Sequence, residues 1–337
     1  MRTSPSSEIP EGTSFSYPRH LPLGHFPTPL QRLERLSKEL GVWLLLKRDD
    51  LCESAAGGNK VRKLEFTLQE MLDQGADTLV TCGAPQSNHV RICALFCARL
   101  GLRSVMLLAG ERPATISGNL LLSSLAGAEL RYVPDLPMDE LDALMRKTAA
   151  ELRARGARPY VLPFGGSNAL GALGYTRMVE ELAVQCPDAD AIVTASASGG
   201  TLAGILLGIK LYGLSAKAVG MAVAFSPEKT RASALRIAKE AVRQYSLGID
   251  VRDEDLLVLP AVGVGYSKNT PAELAGISGF VRDHGMVFDT TYSGKAFYHF
   301  LVQLRKRNVF GRKVVFVHTG GIFGLFAKQD ALGSAGH

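Results

Sequence analysis

The feature that most constrains the fold is an alternation of short β-branched or Leu-rich runs with longer amphipathic stretches. The runs span 42–46, 78–81, 104–108, 130–133, 160–162, 191–195, 218–223 and 314–317. Between them lie helical patterns such as 63–72, where Leu64, Leu68, Met71 and Leu72 share one face, and 91–100. Strand, helix, strand repetition predicts an α/β fold of parallel sheets flanked by helices. Such sheets bind ligands at the carboxyl ends of their strands, so chemistry is expected in the loops just after the strands. The 337 residues exceed what one core organises, which predicts two domains or one large α/β unit.

Composition narrows the function classes. Hydrophobic residues make up 46% and charged residues 21%, which excludes a wholly disordered, collagen-like or disulfide-stapled chain. No apolar run is long enough for a membrane span, so no membrane partner is expected. Residues 1–19 are Ser/Pro-rich, carry Glu8 and Glu11, and read as a flexible arm on a cytoplasmic protein rather than a signal peptide. Five scattered cysteines form no Cys-x-x-Cys pair; Cys93 and Cys97 share a helix face and read as small buried hydrophobes rather than metal ligands. The net charge of +6 raises the question of nucleic acid. The densest basic stretch, Arg305, Lys306, Arg307, Arg312 and Lys313, falls where a helix ends and a strand begins, a place where cations complement the helix dipole; no nucleic-acid partner is expected.

Three loops carry candidate chemistry. Ser196, Ala197, Ser198, Gly199, Gly200 and Thr201 follow a strand and open a helix, a setting in which backbone N–H groups and hydroxyls surround a phosphate. The spacing is neither that of a nucleotide-triphosphatase loop nor that of a dinucleotide fold. Gly57 and Gly58 precede Lys60, which sits in a first helical turn; the dipole there pushes a lysine pKa down and makes Lys60 a Schiff-base candidate for a phosphate-bearing carbonyl cofactor. In the third loop Ser87 or Asn88 caps a helix whose N-terminus suits a substrate carboxylate, and His89 suits either a general base or a hydrogen-bonding scaffold.

In this order the loops resemble the fold type II pyridoxal-phosphate enzymes, tryptophan synthase β-like, and within them the branch of D-cysteine desulfhydrase and 1-aminocyclopropane-1-carboxylate (ACC) deaminase. The resemblance covers about residues 20–328. It rests on Lys47-Arg48-Asp49-Asp50-Leu51, on Gly57-Gly58-Asn59-Lys60-Val61-Arg62-Lys63-Leu64-Glu65 and on Gln86-Ser87-Asn88-His89-Val90-Arg91. Gly165-Gly166-Ser167-Asn168 with its continuation to Tyr175, and His318-Thr319-Gly320-Gly321, complete it. The resemblance implies a large cofactor domain from 20–62 and 177–337, a small α/β domain inserted at 63–176, and a homodimer. It implies pyridoxal 5'-phosphate as cofactor, with Lys60 as Schiff-base lysine, the 196–201 loop on the phosphate and Asn88 beside the ring. Ser87, with Asn88 and His89, would bind substrate, Tyr266 and Tyr292 would line the substrate side, and Ser293 would stand opposite the pyridine nitrogen.

ACC deaminases look different at two places: a glutamate where this chain has Ser293 and a leucine where it has Thr319. Two hydroxyls imply a weaker electron sink and favour β-elimination from a small amino acid, as in D-cysteine desulfhydrase. The alternatives are ACC deaminase, L-cysteate sulfo-lyase, a specialised biosynthetic enzyme, and a cofactor-binding protein without turnover. Departures from the branch at Leu202, Ser267, Thr290, Phe323 and Lys328 are expected around the pocket, where they would alter substrate choice.

Overall fold

The computed structural model describes residues 15–329 and 332. The strands are β1 (Leu30–Arg32), β2 (Trp43–Lys47), β3 (Thr78–Gly83), β4 (Arg103–Ala109), β5 (Glu129–Val133), β6 (Pro159–Val161), β7 (Ala191–Ser196), β8 (Lys217–Ala222), β9 (Leu256–Pro260) and β10 (Lys313–Val317). The helices are α1 (Glu34–Leu40), α2 (Asn59–Asp73), α3 (Asn88–Arg99), α4 (Gly118–Leu125), α5 (Met138–Ala154), α6 (Ala169–Gln185), α7 (Gly200–Leu211), α8 (Pro227–Gln244), α9 (Pro271–His284), α10 (Ser293–Lys306) and α11 (Phe323–Phe326). The strands form two sheets, β1-β2-β10-β7-β8-β9 and β5-β4-β3-β6. Every pairing is parallel except β1 with β2.

All eight apolar runs are strands. The two further strands, β1 and β9, lie at the edges of the larger sheet. As an edge strand β1 tolerates Gln31 and Arg32 and shows no apolar run; β9 does carry one, Leu256 to Leu259, which the sequence reading passed over. No helix among the described residues is long and apolar enough to cross a membrane. All five cysteines are free and buried.

Two features position the site. First, β10 threads between β2 and β7, which brings Thr319 and Gly320 beside Gly58 in an isolated bridge. Gly58 has φ +130° there, and a Cβ on it would stand 2.7 Å from the Thr319 carbonyl oxygen, so only glycine lets the two loops meet. Second, the carboxyl ends of β3 and β7 face a common cleft.

The described part of the expected flexible arm is a correction. Phe15 and Tyr17 stack edge to face at 5.0 Å, and Tyr17 bonds the Tyr212 hydroxyl at 2.7 Å. Aromatic area buried against Phe66 and α7 holds residues 15–19 in place, and the Ser/Pro content of the segment concealed it. Residues 1–14 lie outside the described residues.

Candidate active site

A cleft gathers residues from the loops after β3, β7 and β10 and from the start of α2. Lys60, Ser87, Asn88, His89, Ser196, Ala197, Ser198, Gly199, Thr201, Tyr292 and Thr319 all line it. Gly200, Tyr266 and Ser293 do not line the cleft; each touches a residue around it. Asn59, Phe164, Gly165 and Ala195 complete the lining and carry no side-chain signal beyond their place in the motifs.

The 196–201 loop has the properties of an anion cup. α7 begins on Gly199, in the left-handed region at φ +87°, with no side chain capping its first N–H groups. Ser196 Oγ is buried without a partner. Ser198 Oγ bonds Ser167 Oγ at 2.7 Å, and Thr201 Oγ1 accepts from Asn59 Nδ2 at 3.0 Å. Beneath the loop lies Lys63, fully buried, its Nζ donating to Ser167 Oγ at 2.9 Å and the Gly165 carbonyl at 3.2 Å. Burial first, and the charge of Lys60 second, push the Lys63 pKa well below the ordinary lysine value. Gly200 brings backbone against it: a Cβ there would sit 2.8 Å from Lys63 Nζ. Open helix amides, an orphaned hydroxyl and a buried cation with only neutral partners fit a phosphate monoester. Sequence reasoning missed Lys63, Asn59 and Ser167, although a lysine three residues after Lys60 shares its helix face.

Lys60 is partly exposed in the cleft and its pKa is pushed down to about 8. The principal cause is burial, opposed slightly by Cys93; the helix dipole invoked from sequence is not needed to explain it. His89 is a scaffold by donor accounting. Thr81 Oγ1 gives its one proton to the Leu162 carbonyl at 2.8 Å and so accepts from His89 Nε2 at 2.8 Å. Nδ1 then carries the lone pair, 3.6 Å from Cys93 Sγ. Burial, with Lys60 and Lys63 adding to it, holds the imidazole neutral.

Ser87, not Asn88, caps α3, its Oγ accepting from Val90 N at 3.3 Å. Its hydroxyl proton remains available to a carboxylate at the helix start. Across the cleft the Tyr292 and Tyr266 hydroxyls bond each other; burial raises both phenols, so both are protonated at neutral pH. Ser293 Oγ lies 2.7 Å from Thr319 Oγ1 and 3.2 Å from the Gly320 carbonyl. The neighbouring carboxylate, Asp289, is occupied by the amides of Thr291, Tyr292 and Ser293 at 3.1, 2.7 and 2.6 Å.

The expected pocket departures separate on inspection. Leu202 is a correction: it points into the core behind β8, against Gly220, because the third residue of α7 faces the sheet. Ser267, Thr290 and Lys328 converge on the loop that carries Tyr266. Lys328 Nζ donates to the Ser267 carbonyl at 3.1 Å, and Asn269 Nδ2 to the Thr290 carbonyl at 2.8 Å. Phe323 lies over the Arg91 guanidinium at 4.9 Å.

Residues 21–320 match the family of pyridoxal-phosphate dependent enzymes. The chain is 40% identical to the D-cysteine desulfhydrase of Klebsiella pneumoniae subsp. pneumoniae, over 91% of this chain and 95% of that one. It is 37% identical to the mitochondrial bifunctional D-cysteine desulfhydrase/1-aminocyclopropane-1-carboxylate deaminase of Arabidopsis thaliana, over 93% and 80%. A solved structure of an ACC deaminase homologue superposes with a TM-score of 0.89 at 36% identity, covering 95% of this chain and 97% of that one.

Proposed function

The chain belongs to the pyridoxal-phosphate dependent enzymes, and from that premise we propose that it is a lyase that removes the β-substituent of a small amino acid, acting on D-cysteine to give pyruvate, ammonia and sulfide. The observation that carries the choice of reaction is the Ser293–Thr319 hydroxyl pair, whose partners include no carboxylate. Bound in the cleft, pyridoxal phosphate supplies an electron sink for the pair left when the α-proton departs. Neutral hydroxyls at Ser293 and Thr319 place no charge opposite a ring nitrogen, which suits departure of a good leaving group rather than opening of a carbon ring.

The remaining roles follow from the side chains. The open amides of α7 with Ser196, Ser198 and Thr201 hold the phosphate, and Lys63 supplies its counter-charge. Ser87 and the first amides of α3 hold the substrate carboxylate. Lys60, its amine tuned to about 8, takes the α-proton. Tyr292, protonated and hydrogen-bonded to Tyr266, delivers a proton to the departing group. His89 keeps the wall between them rigid and neutral. The two-domain division at 63–176, a homodimeric assembly and residence in the cytoplasm belong to the same proposal.

The second reading is ACC deaminase, favoured by the bifunctional relative and by the structural neighbour. Keto-acid release from D-cysteine, L-cysteine, L-cysteate, D-serine, β-chloroalanine and ACC separates the two. Pyruvate with sulfide from D-cysteine is expected; 2-oxobutyrate from ACC alone overturns the first reading in favour of the second. The purified protein is expected to be yellow, with borohydride fixing the cofactor on Lys60.

A further inference from the structure

Arg91 on α3 is buried, and among the described residues all of its partners are neutral. Nη1 donates to Asn119 Oδ1 at 2.6 Å and to Asn88 Oδ1 at 3.2 Å, and Nη2 to the Gly57 carbonyl at 3.1 Å. Nε has no partner, and burial pushes the pKa down to about 10. Burying a guanidinium without a carboxylate is costly, and a neutral side chain of the same shape would fill the space more cheaply.

What the guanidinium provides is direction. It has donors only, so the Asn119 atom it meets is the carbonyl oxygen. The Asn119 amide nitrogen is thereby turned to the Gln86 carbonyl at 2.8 Å and to Asn88 Oδ1 at 2.9 Å. Asn88 Oδ1 now receives two donors, from Asn119 and from Arg91 itself. Its Nδ2 is left in the cleft wall without an acceptor among the described residues. Gly321 leaves room beside it, since a Cβ there would come within 3.1 Å of Asn88 Nδ2. The same guanidinium grips the loop that precedes Lys60 through Gly57, so one residue registers Asn88 against the lysine.

We propose that Arg91 and Asn119 are positioning residues that lock the Asn88 amide with its NH₂ toward the cofactor, where it donates to the ring's phenolic oxygen. The proposal rests on pyridoxal phosphate occupying the cleft. With the cofactor bound, its linkage to Lys60 would share a proton with that oxygen. A donor competing for the same lone pairs makes the linkage easier to deprotonate and moves the pH at which the protein loses its visible colour downward.

The test is a pH titration of the visible absorption, with cofactor affinity, for Arg91→Lys, Asn119→Asp and Asn88→Ala and for each of the first two combined with Asn88→Ala. Arg91→Lys keeps the charge but lacks the fork that reaches three oxygens; its colour midpoint is expected to rise and cofactor affinity to fall roughly tenfold, the size of one charge-assisted hydrogen bond. Asn119→Asp keeps the acceptor for Arg91 but offers Asn88 Nδ2 an acceptor of its own, so the amide turns over and the midpoint rises further. In the Asn88→Ala background neither change is expected to move the midpoint again, because both act through that amide. Wild-type midpoints in Arg91→Lys and Asn119→Asp, or shifts that persist undiminished without Asn88, overturn the proposal; should Arg91→Lys fail to fold, the Asn119 pair decides alone. A wild-type protein that takes up no cofactor, or that borohydride does not label at Lys60, defeats the underlying reading instead.

Discussion

Arg62 and Lys63 are neighbours on α2, both fully buried, and they face opposite kinds of surroundings. Arg62 turns to carboxylates: its Nη2 lies 2.8 Å from Asp49 Oδ1 and its Nη1 2.7 Å from Glu181 Oε1. Lys47 joins Glu181 at 2.5 Å, and the Tyr175 hydroxyl donates to Asp49 at 2.8 Å. Lys63 has a hydroxyl, a carbonyl and the open amides of the phosphate cup. The first cation is satisfied within the fold and welds α2 to β2 and α6. The second has no carboxylate hydrogen-bonded to it among the described residues, and neither has Arg91. On the proposed function, absence of a carboxylate partner is what separates the buried cations of the site from those of the scaffold.

The sharpest way to break this comparison is Arg62→Met. It strands Asp49 and Glu181 without their guanidinium, and a broken buried pair costs about 3–5 kcal/mol. Chemical unfolding of the cofactor-free protein is the measurement. The pH dependence on the acid side should also weaken. In the wild type, burial pulls the Asp49 pKa upward but Arg62 outweighs it and holds the carboxyl below its ordinary value. The Asp49 contribution is therefore complete above the unfolded value of about 4 and is lost as pH falls below it. Without Arg62 only Lys47 and the Tyr175 and Thr28 hydroxyls still favour the charged form against burial, so the carboxyl protonates more readily when folded and less stability should be lost in acid. Equal losses of stability at Arg62→Met and Lys63→Met would sink the distinction.

Lys63→Met is expected to leave the cofactor-free protein as stable as wild type or slightly more so, since it removes a buried amine held well below its normal pKa. Cofactor affinity should fall by about 10–100-fold, the worth of a charge-assisted contact in a water-poor site. Binding to the wild type should take up a proton, as phosphate restores the ammonium form of Lys63. Calorimetry in buffers of different ionisation enthalpy reads that uptake, which should vanish in the variant.

How legible this was in the sequence follows the same division. The 196–201 loop and Lys60, which share one cleft, were readable as candidates because small and hydroxyl residues after a strand have few other uses, and every strand except β1 and β9 was read from its apolar run. The string Lys60-Val61-Arg62-Lys63 carries three cations, and nothing local says which of them meets Asp49 and Glu181 and which meets the cup. That depends on α6 and α7 packing against α2, more than a hundred residues away in the chain. Arg91 was hidden for the same reason: its partners on α4 and at Gly57 are distant in sequence. The downward Lys60 shift was expected from its helix start, whereas burial as its largest cause was not, because depth of burial is not visible in sequence.

Ser196 gives the smallest and most discriminating effect. Its Oγ is buried without a partner, the neutral counterpart of Lys63. A buried unsatisfied hydroxyl costs about 1–3 kcal/mol that replacement by hydrogen recovers, partly offset by lost packing. Ser196→Ala should therefore raise the cofactor-free melting temperature slightly while weakening cofactor binding by about fivefold, one neutral hydrogen bond. Opposite signs in the two measurements are what a donor held in reserve for a ligand predicts. A fall in both would mean that the hydroxyl already serves the fold, and the contrast between satisfied scaffold and unsatisfied site would then hold for the buried cations alone.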